Sequence, residues 1–171
     1  MQLYLSLGSN LGNRLDNLQQ AVDSLQSCMT IHAISPIYET VPWGENPDQP
    51  LFLNVCLAAS TTLPPELLLG MIKQIEQALG RNVNGIWGPH EIDIDLLFYG
   101  DLVRVIEPQF IPHRQIRQRP FVLVPLADIA PNFVHPVHNM TIADLLSEVT
   151  TDDVTRIPQQ LAAIPELQFA L

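Results

Sequence analysis

Positive charge is scarce in this chain. One lysine, Lys73, and seven arginines stand against 18 acidic residues, for a formal net charge of −10. A field of that sign repels polyanions, so nucleic acid is not an expected partner. A phosphate ligand would need a local cationic patch, a metal ion or both. Charged residues of both signs make up only 15% of the chain and hydrophobic residues 47%, a balance that supplies a core and argues against disorder. Cysteine is nearly absent. Cys28 and Cys56 sit in apolar contexts without CxxC spacing, which reads as two free thiols in a reducing cytoplasm. No run of 18 apolar residues occurs, and the opening MQLYLSLGSN has no basic region followed by a long apolar run. A cytoplasmic protein with no membrane partner is therefore expected. No internal repeat and no linker marks a second domain, so 1–149 reads as one domain and 150–171, with weak periodicity, as a C-terminal tail packed on the surface or loosely ordered.

What is present is a readable alternation of periods. Leu3, Leu5 and Leu7 alternate with Tyr4 and Ser6, which predicts a strand running into the turn Gly8-Ser9-Asn10. From Asn13, a plausible N-cap, Leu15, Leu18, Ala21, Val22 and Leu25 form a helical stripe. A strand over Met29–Tyr38 is interrupted by Pro36, and a proline-rich loop follows from Val41 to Pro50. Phe52–Ser60 is strand-like, and Pro64-Pro65-Glu66 opens a helix that ends at Gly80. A second irregular loop spans Arg81–His90. Glu91–Tyr99 alternates strictly over most of its length, and Gly100-Asp101 leads to a short strand near Leu102–Ile106. Pro120 and Pro125 are expected to break a helix over Ile116–Leu126, and Thr141 with Asp144 starts a last short helix. This order predicts an α+β fold of the ferredoxin-like kind, an antiparallel sheet with helices packed on one face, followed by a C-terminal extension.

The most informative segment is Glu91-Ile92-Asp93-Ile94-Asp95-Leu96. Alternation sends Ile92, Ile94 and Leu96 to the core and places Glu91, Asp93 and Asp95 together on the other face, neighbours about 6.5–7 Å apart. No lysine or arginine in the segment relieves their repulsion. A divalent cation would, and magnesium suits one or two carboxylates completed by waters and phosphate oxygens. Taken alone, the acids read as a solvated polar face before they read as a metal site; the neighbouring motifs decide the matter.

Upstream stands Trp87-Gly88-Pro89-His90, joined directly to that strand. With Gly8-Ser9-Asn10-Leu11-Gly12, Tyr38-x-Thr40-x-Pro42, Phe52-Leu53-Asn54, Ile75-Glu76, Gly80-Arg81, Pro112-His113 and Arg119-x-Phe121, in that order and with compatible gaps, the chain resembles the hydroxymethyldihydropterin pyrophosphokinases from about Leu3 to Pro136. The resemblance implies transfer of diphosphate from ATP, the co-substrate, to a pterin alcohol. It implies that Asp93 and Asp95 hold two magnesium ions. It assigns Thr40, Asn54, the stretch Pro42-Trp43-Gly44, Phe121 and the turn Gly8-Ser9-Asn10 to the pterin. It places Glu76, Trp87, His113 and Arg119 at the ATP, and Arg81 and His90 on a catalytic loop whose part from Val83 to Trp87 closes over both substrates. A monomer acting on small molecules is expected.

Individual residues keep simpler readings beside these. Asn54 fits a strand-end turn, Phe121 a core position, His113 a surface loop and Glu76 an exposed helix acid. Arg104, Arg114, Arg117 and Arg119 fall within one 16-residue span, which fits a phosphate site or a solvated basic stretch. The chain also departs from the family pattern. His90 stands where an arginine is usual, a second loop arginine is missing, Ile86 replaces a basic residue, and Trp43 replaces a smaller apolar one. Histidine is shorter than arginine, cannot make the forked phosphate contact, and titrates near about 6.5. Two other functions therefore stand beside the first, a catalytically weakened pterin- or nucleotide-binding homologue and a ferredoxin-like module for RNA or protein. Three acids on one sheet face speak against the RNA module.

Overall fold

The structure, a computed structural model, describes residues 1–44, 48–80 and 91–162. In chain order its elements are β1 (Gln2–Ser9), α1 (Arg14–Leu25), β2 (Thr30–Ile34), β3 (Tyr38–Thr40), β4 (Phe52–Ser60), α2 (Pro65–Ala78) and β5 (Asp93–Tyr99). These are followed by β6 (Arg104–Ile106), β7 (Gln109–Ile111), a 3₁₀ turn at Ile116–Gln118, α3 (Pro120–Ile129), α4 (Ile142–Ser147) and β8 (Val154–Arg156).

The main sheet has the order β5-β1-β4-β3-β8, with β2 pairing beside β3 on the same edge of β4, and its pairings are antiparallel. Leu3, Leu5 and Leu7 of β1 meet Leu53, Val55, Leu57, Ala59, Ile94 and Leu96 on one face, where α1 and α2 close the main core. The helices form where the stripe places them. In α1, Leu18, Ala21, Val22 and Leu25 are buried, and the Asn13 side chain caps the first turn by accepting from the Asp16 N–H at 3.1 Å. Pro65 opens α2, where its missing N–H costs nothing, and Gly80 follows that helix at φ +100°.

The C-terminal extension adds a layer to the opposite face. Tyr4, Cys56, Ala58, Leu97 and Phe98 pack there against Val122, Leu123 and Leu126 of α3 and Ile142 and Leu145 of α4. This is why β1 is buried on both faces from Leu3 to Ser9 instead of alternating with solvent. Strict alternation in β5 also ends within the strand. Tyr4 pairs with Phe98 while Leu5 pairs with Leu96, so Leu97 is an extra residue. The bulge lets Leu97 and Phe98 both enter the second core and returns Tyr99 to the first.

Two expectations are corrected. Pro125 does not break a helix: it lies inside α3, with Pro120 at the helix start. A proline there forfeits one backbone bond, which the burial of Val122, Leu123, Pro125 and Leu126 outweighs. The short strand expected after Asp101 is present as β6, which pairs with β7 in a separate hairpin. Residues 150–162 are more than a surface covering, because Val154, Thr155 and Arg156 pair with Thr40, Glu39 and Tyr38 and extend the sheet. Thr141 and Asp144 start α4 as expected, and do so through a capping box. Among the described residues no helix is long and apolar enough to cross a membrane.

Candidate active site

The antiparallel register lines side chains up in rows across the sheet. One row runs Asp93, Gly8, Asn54, Tyr38, Arg156 from β5 to β8. The flanking rows hold Asp95 opposite Ser6, and Phe52 opposite Thr40. All of these lie on the face that α3 covers only in part. With strands about 4.8 Å apart, Asp93 and Asn54 are separated by roughly 10 Å.

At the β5 end, Asp93 and Asp95 share this face and are each partly exposed. The Asp95 carboxylate lies 3.4 Å from Arg119 Nη1 and 3.7 Å from His113 Nε2. Arg119 Nη2 also donates to Gln115 Oε1, which steers the guanidinium. Its Nε is buried without a hydrogen-bond partner among the described residues. Burial weakens the Arg119 cation somewhat, and Asp95 and Asp93 act against that. Burial, followed by the Arg119 charge, pushes His113 down to about 4, with Asp93 opposing. His113 is therefore a neutral imidazole at pH 7 and offers hydrogen bonds, not charge.

Glu76 is buried, so the exposed-acid reading fails. It reaches from α2 to the outer edge of the sheet, where its Oε1 accepts the Ile94 N–H at 2.7 Å. That N–H lies between the two aspartates, so Glu76 holds the segment that presents them.

At the β4 end, Asn54 and Thr40 are both buried, and Asn54 Nδ2 donates to Thr40 Oγ1 at 2.6 Å. The bond leaves the Asn54 carbonyl oxygen directed at Gly8, where a Cβ would come within 2.9 Å of it. Asn54 is thus no turn residue. Phe121, half-buried at the start of α3, lies 6.3 Å from the Trp43 ring, centroid to centroid, and the Arg119 guanidinium sits 5.0 Å over Trp43 and 5.6 Å over Phe121. Pro42 is partly buried beside them, and Gly44 has φ +115°. Asn10 Nδ2 donates to Gln49 Oε1 and the Pro50 carbonyl, tying the end of β1 to that loop. Ser9 differs: it pairs with Leu53 on the helix side, and its Oγ accepts from Asn17 Nδ2 of α1. Its side chain stands on the other face from Gly8, leaving its backbone for the site.

The arginine cluster of the sequence is not a cluster in space. Arg104 pairs with Glu66, Arg117 with Glu148, and Arg114 stacks on Phe110. Of the four, Arg119 is the one at the aspartates, because the β6–β7 hairpin and the 3₁₀ turn carry the others outward. Arg81, Trp87 and His90 lie outside the described residues. The sequence reading missed Gln115, Phe52 and the task of Tyr38. Phe52 was legible by period, two residues before Asn54 and hence on its face; its ring edge would lie 3.5 Å from a Cβ at Gly8.

Among the described residues no group of three His, Cys, Asp or Glu forms a metal cluster. The donor set nevertheless fits magnesium. Two adjacent, partly exposed carboxylates give hard oxygen ligands and leave positions for water and phosphate.

Residues 4–131 match the family model of the 7,8-dihydro-6-hydroxymethylpterin-pyrophosphokinases (HPPK). The chain belongs to this family. The HPPK family match is supported by relatives over most of the length. The Aquifex aeolicus 2-amino-4-hydroxy-6-hydroxymethyldihydropteridine pyrophosphokinase is 40% identical over 149 residues, covering 86% of this chain and 92% of its own. The Methylorubrum extorquens protein of the same name is 41% identical over 156 residues, covering 90% and 97%. Among solved structures, wild-type Plasmodium falciparum HPPK-DHPS with SDX-DHP superposes with a TM-score of 0.73 at 20% identity, over 91% of this chain. This chain spans 47% of that one, and the likeness is one of fold.

Proposed function

We propose that this HPPK-family chain transfers a diphosphate from ATP to the hydroxymethyl group of 6-hydroxymethyl-7,8-dihydropterin and releases AMP, a step of folate biosynthesis. The observation that carries the reading is the cross-strand row: a carboxylate at Asp93, a residue without a side chain at Gly8 and a buried amide at Asn54. A cation-held phosphate chain at one end and a flat heterocycle at the other would span that row. No observation favours a weakened homologue.

The reaction needs the hydroxymethyl oxygen to attack the β-phosphorus while the bridge from α- to β-phosphorus breaks. AMP leaves with the bridging oxygen, and the hydroxyl proton goes to solvent. Such transfers depend chiefly on alignment and charge stabilisation. Asn54 and Thr40 give in-plane hydrogen bonds to the pterin, helped by backbone at Gly8-Ser9-Asn10 and Pro42-Trp43-Gly44. Phe121 gives the ring a stacking face, and Phe52 borders the same space. Arg119 gives phosphate a cation, and His113 a neutral hydrogen bond. Glu76 keeps β5 in register at the ATP side. Arg81, Trp87 and His90 are assigned to the catalytic loop by resemblance. Two magnesium ions on Asp93 and Asp95 would neutralise phosphate charge and favour an in-line path.

In this reading the chain acts on its small-molecule substrates as a monomer. Residues 1–149 carry the chemistry, with 150–171 as an extension. Two unpaired thiols, Cys28 and Cys56, and dependence on ATP suit the cytoplasm. The test is AMP release from ATP with and without 6-hydroxymethyl-7,8-dihydropterin and magnesium. Release that requires both additions is expected; AMP no higher than with ATP alone would end the proposal.

A further inference from the structure

The Tyr-x-Thr motif leaves its tyrosine without a task. Thr40 bonds Asn54, but Tyr38, two residues earlier, lies opposite Asn54 in the same row and points under α3. Its ring is buried, and its hydroxyl donates to Asp128 Oδ2 at 2.5 Å. Asp128 is on α3, the helix whose first turn carries Phe121. One bond therefore joins the strand that bears Thr40, the partner of Asn54, to the helix that bears the ring.

That strand has little hold of its own. β3 is three residues long. Its ladders to β4 and β8, and the bond from Ile157 N–H to the Ile37 carbonyl at 3.0 Å, run in the plane of the sheet. They fix where β3 lies sideways, not how far it stands from α3. The Tyr38–Asp128 bond spans that remaining direction. A hydroxyl on a carboxylate is charge-assisted and short, so it tolerates little play. Burial, then the Asp128 carboxylate, push Tyr38 up to about 12, with Arg156 in the next strand opposing, so the hydroxyl keeps its proton and remains the donor.

Resting on the functional reading above, we propose that Tyr38 and Asp128 are a positioning pair that sets the gap between the Thr40–Asn54 edge and the Phe121 face, and thereby selects a flat bicyclic heterocycle. The pair touches neither the phosphates nor the reacting atoms. Its loss should move pterin affinity and leave ATP affinity nearly alone. Core packing at Tyr38 would instead lower stability without separating the two substrates.

The experiment compares Tyr38→Phe, Asp128→Ala, Asp128→Asn and the double variant Tyr38→Phe/Asp128→Ala. Calorimetry reads the Kd of 6-hydroxymethyl-7,8-dihydropterin and of magnesium-ATP separately, and turnover gives both KM values. Tyr38→Phe and Asp128→Ala are each expected to weaken pterin binding about tenfold, the scale of one charge-assisted bond, with ATP changed less than about twofold. Asp128→Asn, which keeps an acceptor, should stay within about threefold of wild type. The double variant should be no worse than either single one, because both remove the same bond. Unchanged pterin binding in Tyr38→Phe, equal weakening of both substrates, or additive losses would overturn the pair. Should Tyr38→Phe fail to fold, Asp128→Ala against Asp128→Asn decides in the same terms. A wild-type chain that binds this pterin but releases no AMP would sink the transferase reading while leaving the pair testable by Kd. A wild-type chain that binds no pterin overturns both.

Discussion

Two aspartates two residues apart cost the folded state some repulsion, which the Arg119 cation lessens at Asp95. Arg119 and His113 approach Asp95 at 3.4 and 3.7 Å, and the imidazole is neutral. Asp95→Ala should therefore abolish magnesium-dependent AMP release, by about a thousandfold or more given the share such sites take in phosphoryl transfer. Its thermal midpoint should stay close to wild type, since a partly exposed acid is lost. Retained activity would mean the cations are held elsewhere. Gly8 is the second sensitive residue. A Cβ there would stand 2.9 Å from the Asn54 carbonyl oxygen, closer than packed atoms allow. Gly8→Ala should turn Asn54 out of its bond with Thr40 and weaken pterin binding about tenfold or more, the scale of a lost buried hydrogen bond. Calorimetric titration with the pterin checks this, with the midpoint of thermal unfolding as control.

At the scale of elements, β5 is the edge strand of the sheet, and α2 covers part of its open side through one carboxylate. Glu76 Oε1 accepts the Ile94 N–H at 2.7 Å, between the two aspartates. Glu76→Leu leaves that buried donor without its acceptor and should cost about 1–3 kcal/mol, whereas Glu76→Gln keeps an amide oxygen and should lose less. Urea unfolding of both variants makes the comparison. Equal stability in all three proteins would show that water takes the bond over. Much of this level was legible beforehand. The stripe of α1, the proline at the head of α2, the capping box of α4 and the alternation of β5 as far as Leu96 follow from period and cap chemistry. Pro125 and Leu97 did not follow, because burial against a neighbouring layer overrode the local rule in both places.

For the whole molecule, acid should loosen the fold through a histidine remote from the active site. His135 is buried, its Nδ1 accepts the N–H groups of Val137 and His138, and its ring meets Phe98 at 5.2 Å. Burial, then the nearby His138, push it down to about 4. The unfolded chain takes up a proton near about pH 6.5 that the folded chain refuses. The stability concerned is fully present above that value and is lost progressively as the pH falls towards about 4. His113, also pushed down to about 4, adds to the same slope. Urea midpoints at pH 7.5, 6 and 5 should decline in turn, and His135→Asn, whose amide oxygen can replace the acceptor Nδ1, should flatten the decline by about half. A slope unchanged in that variant would place the titrating group elsewhere.

By itself the order of residues determined the local pieces and the family: the alternating leucines, the helical stripes, the paired aspartates and the motifs around them. Short-range rules suffice because each depends on neighbours within a few positions. Tertiary structure alone decided what those pieces face. It scattered Arg104, Arg114 and Arg117 and kept Arg119, turned the Ser9 side chain away from Gly8, buried Glu76, and brought Tyr38 to Asp128 across 90 positions. The physical reason is register. A cross-strand row is set by how strands slide and where a bulge adds a residue, and that emerges only when both faces of the sheet find their covering helices.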